Sequence, residues 1–160
     1  MPSDPSTPKY NAELLRLLST QPKNLGTILQ EADLVSSLQI EAALATQADH
    51  PKLRIGEILA SQGSIKSETA DFFAQDWSKV VVQPDKRALG YYLRQAAILN
   101  SAQIEVILAK QRATGVRFGT IAVYQGFLKS TTLDFFLANL FPEELNVSPF
   151  INMYRGSSFF

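Results

Sequence analysis

The chain has 160 residues, with fifteen basic side chains balancing fifteen acidic ones, one His and no Cys. Without thiols there is no disulfide scaffold, thiolate metal site or cysteine nucleophile, and one imidazole cannot assemble a zinc site. The balanced charge provides no net field to gather nucleic acid or anionic lipid, while 46% apolar residues suffice for an ordinary globular core.

In chain order, residues 1–9 are rich in Pro and Ser and read as a disordered lead-in, without the basic and apolar regions of a signal peptide. An amphipathic helix is expected over residues 11–20. No apolar run reaches the roughly 18 residues of a membrane span, so a cytoplasmic protein without membrane insertion is expected. The single His50 sits among Ala48, Asp49 and Pro51 and reads as a loop residue.

From residue 24 onward the chain repeats itself. Segments 24–47, 54–77, 88–111 and 117–140 align without gaps. Their third position is Gly (Gly26, Gly56, Gly90, Gly119) and their fourteenth is Ser (Ser37, Ser67, Ser101, Ser130). The eighteenth is acidic (Glu41, Asp71, Glu105, Asp134). The second is large and apolar (Leu25, Ile55, Leu89, Phe118), and the twelfth aliphatic (Val35, Ile65, Leu99, Leu128). The first and third units share a terminal Gln (Gln47, Gln111). The second and fourth share an initial Arg (Arg54, Arg117), a Gly at position ten (Gly63, Gly126) and an Asp-Phe-Phe triplet. A block of two units therefore recurs, at an offset of 64 residues for one pair and 63 for the other.

Each unit predicts a helix–turn–helix. Apolar residues at positions two, five and six (Leu25, Ile28 and Leu29 in the first unit) follow the spacing of one helix face. The Ser at fourteen is a preferred N-cap, and an acid at eighteen lies near the positive end of the second helix. The expected fold is all-α: four helix–turn–helix units in two duplicated blocks, residues 10–83 and 84–142. Their junction should be apolar, because the Phe-rich second and fourth units need cover. Between the blocks, Val80, Val81 and Val82 before Pro84 read as a short extended linker. After Pro142 the repeat stops. Residues 143–160 form an apolar tail whose Phe150, Tyr154, Arg155, Phe159 and Phe160 are candidates for partner binding or for docking on the chain's own surface.

Arg54-Ile55-Gly56-Glu57-Ile58-Leu59, followed by Gly63-Ser64-Ile65, resembles the Arg-Leu-Gly-x-x-Leu … Gly-x-Ile signature of one known domain. That domain is the N-terminal one of type II secretion and type IV pilus assembly ATPases, some members of which bind cyclic di-GMP. The resemblance covers residues 24–140 and implies two such domains in tandem. It does not extend to the motor, because the sequence has no Gly-x-x-x-x-Gly-Lys-Ser/Thr phosphate loop.

The resemblance also implies a ligand set: Leu25, Gly26, Gln47, Arg54, Ile55 and Gly56 in the first block, and Leu89, Gly90, Gln111, Arg117, Phe118 and Gly119 in the second. A guanidinium can pair with guanine O6 and N7, and a carboxamide can bond a base edge. The chain departs from the pattern at Asn24 and Ala88, where Arg is expected, and at Trp77 and Leu140, where Gln is expected. Each block thus keeps about half of the polar contacts, and a lost charge-assisted hydrogen bond is worth roughly 1.5–3 kcal/mol.

The same residues have plainer readings. Arg54 and Arg117 can be exposed helix starts, and Gln47 and Gln111 can bond the spacer backbone. The glycines serve helix contact as readily as a ligand, and Trp77 and the paired Phe residues read as packing. The acids fall on helix first turns, and no paired carboxylates, Ser–His arrangement or metal cluster emerges. The leading expectation is a non-catalytic regulatory or adaptor module that binds a protein partner, for which the resemblance suggests pilus or secretion machinery. The second is a cyclic di-GMP receptor with two partly degenerate sites. Neither a cofactor nor a metal is expected, and the oligomeric state is open.

Overall fold

The computed structural model describes residues 23–145. The expected lead-in, the helix at 11–20 and all of the tail after residue 145 lie outside the described residues. Within them the chain is all-α, with no strand. Seven-residue helices alternate with second helices of differing length: α1 (Leu25–Glu31), α2 (Ser37–Asp49), α3 (Ile55–Ser61) and α4 (Ser67–Asp71). A π turn (Phe72–Asp76) carries α4 directly into α5 (Trp77–Val82). Beyond a short connection come α6 (Leu89–Gln95), α7 (Ser101–Thr114), α8 (Phe118–Tyr124), α9 (Ser130–Leu140) and α10 (Pro142–Leu145).

The second helix of each unit starts one residue earlier than the serines suggest. Ser37, Ser67, Ser101 and Ser130 are first helical residues, and the caps are Ser36, Lys66, Asn100 and Lys129. Ser36 Oγ accepts from Gln39 N at 3.2 Å while Gln39 Oε1 accepts from Ser36 N at 2.8 Å. Asn100 and Gln103 repeat this reciprocal capping box at 2.8 and 2.9 Å. Lys66 and Lys129 have no oxygen to offer at the cap. Position eighteen also departs from the dipole argument at Asp134, whose carboxyl is raised above its ordinary value by partial burial.

The expected extended linker is a helix. Trp77–Val82 continue α4 through the π turn, because Trp77 is buried and Val80 and Val81 pack against the core. Burial of that face outweighs the β preference of three valines. The helix stops where Pro84 forces Gln83 into an extended conformation (φ −68°, ψ 124°). Lys86 Nζ then donates to the carbonyls of Val80 (2.7 Å), Val81 (3.1 Å) and Gln83, covering the helix end.

The turns after the short helices pass through left-handed backbone. Gly63 and Gly126 take φ +73° at no steric cost, but the corresponding residues elsewhere are Asp33 (φ 57°) and Ala97 (φ 56°). Both non-glycine turns are held by the opposite half of the chain. Thr69 Oγ1, buried, donates to Ala96 O at 2.7 Å, and Lys66 Nζ to Ala97 O at 3.2 Å. Reciprocally, buried Thr132 Oγ1 donates to Ala32 O at 2.7 Å and Lys129 Nζ to Asp33 O at 3.1 Å. Thr131 Oγ1 adds a bond to Asp33 Oδ2 at 2.6 Å.

One hydrophobic cluster runs through both halves, from Leu29, Ile58 and Leu59 to Leu93, Ile107 and Leu133. Its centre is aromatic. Trp77 stacks on Phe135 at 5.1 Å and 18°, and Phe73 meets Phe136 edge-on at 6.0 Å. The two Asp-Phe-Phe triplets, distant in sequence, thus face each other through their rings.

Candidate functional site

A cleft of about 340 Å³ opens in the second half. α6 contributes Leu89, Gly90, Tyr91 and Arg94, and α7 contributes Ile104, Leu108 and Gln111. Arg117, the cap of α8, enters together with Phe118, Gly119 and Thr120. Leu133 and Leu137 of α9, then Phe141 and Glu144 at and after its end, complete the wall. All six ligand positions that the resemblance implies for the second block line this one cleft. Such a site, apolar with a few convergent polar groups, has the general make-up of a small-molecule pocket.

The local sequence explains the geometry. Arg117 precedes α8 with extended backbone (φ −63°, ψ 145°), and its side chain is half-buried. Gln111 ends its helix one turn before Gly115, whose left-handed φ of 71° closes α7 with its N–H on Gln111 O at 2.8 Å. The Gln111 carboxamide makes no hydrogen bond to another described residue. The glycines that line the cleft are also held close by neighbouring side chains. A Cβ on Gly90 would stand 2.8 Å from the Phe118 ring, and one on Gly119 2.7 Å from Leu133 Cδ1. Their smallness is used for packing, and Phe118, packed on Gly90, is the aromatic side chain that lines the cleft beside it.

The first half places the equivalent residues differently. Gln47 Nε2 donates to Leu53 O at 3.1 Å, so its amide serves the spacer backbone. Arg54 caps α3 with its side chain exposed, and its N–H is taken by Glu57 Oε2 at 2.9 Å. A Cβ on Gly56 would meet Leu25 Cδ2 at 3.1 Å and Ala70 at 3.2 Å, and one on Gly26 would meet Ile40 at 3.3 Å. Ile55 and Leu25 are half-buried against the core. The tail candidates Phe150, Tyr154, Arg155, Phe159 and Phe160 lie outside the described residues.

Several cleft residues were not candidates in the sequence. Tyr91, Arg94 and Thr120 occupy unit positions that vary between copies, so the repeat does not mark them. Glu144 lies past the last unit altogether. Burial raises its carboxyl above the ordinary range, the charge of Arg117 pulls it back down, and neighbouring Glu143 raises it again. The only sequence signal for it is the break at Phe141 and Pro142.

No protein-family profile matches the chain, and no solved structure matches it. Among curated proteins it is 38% identical over 116 residues to an uncharacterized protein of Picosynechococcus sp.. The matched stretch is 72% of this chain and 63% of that relative, so the chain spans well short of the relative's full length. No helix among the described residues is long and apolar enough to cross a membrane.

Proposed function

We propose that the chain is a non-catalytic regulatory module made of four helix–turn–helix units in two duplicated blocks, with its ligand site in the second block. The capping boxes at corresponding long helices and the reciprocal Thr–carbonyl bonds support the duplicated reading. One observation carries the site: Gln111, Arg117, Phe118 and the residues around Gly90 and Gly119 share one apolar cleft. A guanidinium, a carboxamide and aromatic faces in such a cleft suit a ring-bearing ligand with acceptors and donors along one edge.

Cyclic di-GMP is the first ligand to test, because the signature around Arg54 resembles a domain whose members bind it. Calorimetric titration of the purified chain should give heat saturating near one ligand per chain. A flat thermogram at tens of micromolar ligand would sink this choice of ligand.

A module of this kind acts through what it touches, which keeps a protein partner in the reading. The specific observation in favour is apolar surface on the first half: Leu38 is 76% exposed and Leu44 is 51% exposed, both on α2. In this reading the second half binds the ligand and α2 is the candidate partner surface. Pilus or secretion machinery is the partner class that the sequence resemblance suggests.

A further inference from the structure

We propose that Glu144 determines the specificity of the second-half cleft: it sits by Arg117 as a built-in anion, admitting a ring edge that presents N–H donors and turning away a phosphate. This inference rests on the ligand reading of the cleft given above, and its test is independent of any one ligand.

The placement of Glu144 comes from a departure from the repeat. In the first half, the π turn lets the helix run on to Val82, and Val81, sixty-three positions before Glu144, packs toward the core. In the second half, α9 ends at Phe141 (φ −136°, ψ 60°), and Pro142 starts a new turn. That turn brings Phe141 and Glu144 into the wall of the cleft. The carboxylate is thus an addition to the second block rather than a residue shared by the two.

Its surroundings define what it can do. The charges that act on it are Arg117 at the head of α8 and Glu143 on its own helix, while Arg94 and Tyr91 of α6 are the other ionisable groups lining the same cleft. α7 and α9 line the cleft with Ile104, Leu108, Gln111, Leu133 and Leu137, none of them charged. A half-buried carboxylate is acceptor-only, so it bonds N–H donors and repels a second anion in the same low-dielectric space. Arg117 beside it supplies donors for acceptor atoms. The pair therefore reads an edge with adjacent donors and acceptors, and a phosphate on the same ligand must lie away from Glu144.

Sulfate tests this directly, because it keeps its double charge across the working pH range. NMR titration of the intact chain should show no saturable sulfate site at neutral pH. Glu144→Gln should bind sulfate at least about 10-fold more tightly, with shifts centred on Arg117, and adding Arg117→Gln should abolish that gain. In the wild-type chain, sulfate binding should also strengthen as pH falls and Glu144 takes up its proton, whereas Glu144→Gln should show no such rise. Glu143→Gln removes the same charge from the same helix outside the cleft wall and should leave sulfate affinity unchanged. Equal sulfate binding by wild type and Glu144→Gln would overturn the proposal, as would an equal gain in Glu143→Gln, and coincident thermal melts establish that the variants are folded. Failure of cyclic di-GMP to bind would remove that ligand without altering the sulfate result.

Discussion

The two halves of the molecule start from matching sequence and end in different chemistry. Gln47 and Gln111 occupy the same unit position, yet Gln47 ties down the spacer backbone through Leu53 O, whereas Gln111 lines a cleft. Arg54 and Arg117 both cap short helices, but Arg54 is exposed and Arg117 is half-buried beside Glu144. The residue types that a motif specifies are therefore not enough to define a site. What differs is the next layer: a C-terminal Gly115 on α7, a Phe in place of Ile at the start of α8, and a helix broken at Phe141.

The largest way to break this comparison is through the shared core. Phe136 is fully buried among rings from both halves, and Phe136→Ala should cost about 3–5 kcal/mol. Chemical denaturation followed by fluorescence of the single Trp77 and by helical circular dichroism should show one coincident transition. Two separated transitions would mean that the halves are independent, contrary to the continuous core.

Next come the reciprocal turn contacts. Thr132→Val and Thr69→Val each strand a buried carbonyl and should cost about 1–3 kcal/mol. Measured by the same denaturation, similar losses would confirm that the halves hold one another symmetrically. A loss at one position only would show that a single contact dominates.

A smaller effect of opposite sign is expected at Ala97. Its left-handed backbone carries a Cβ, so Ala97→Gly should be neutral or stabilising by up to about 1 kcal/mol. Asp33→Gly relieves the same strain but loses the bond from Thr131, so it should stabilise less. If Asp33→Gly proves the more stabilising of the two, the side-chain contact contributes nothing.

The smallest effect concerns Asp134. Its folded-state pKa is raised by partial desolvation of the carboxyl, so the folded chain holds that proton more tightly than the unfolded one. Ionisation therefore costs stability as pH rises through the unfolded and then the folded value, and no cost remains below both. Asp134→Asn should stabilise slightly at neutral pH, within about 0.5 kcal/mol for this exposed residue, and the gain should vanish in acid. Thermal melts at the two pH values check the sign.

Much of the helix layout was legible because it is local. Apolar spacing marked α1, α3, α6 and α8, and glycines at position ten marked two of the four left-handed turns that follow these helices. The caps were misplaced by one residue because Ser at fourteen is invariant among the units, while the true caps vary between Ser, Lys and Asn. The valine run was misread as extended because its helical state depends on Trp77 and on rings from the other half. The turn contacts join residues 27 and 100 positions apart, beyond any local pattern. The motif names Gln111, Arg117 and Phe118, which share the cleft, but it points equally to residues of the first half. It gave no hint of Glu144, which lies outside every repeat.

The central claim is that one half holds the ligand and the other does not. Calorimetric titration of cyclic di-GMP into the wild-type chain, Arg54→Ala and Arg117→Ala tests it most directly. The account predicts one ligand per chain, affinity unchanged in Arg54→Ala, and a loss of roughly 10- to 100-fold in Arg117→Ala, the worth of one charge-assisted bond. Two ligands per chain, or a loss in Arg54→Ala that matches the loss in Arg117→Ala, would contradict it.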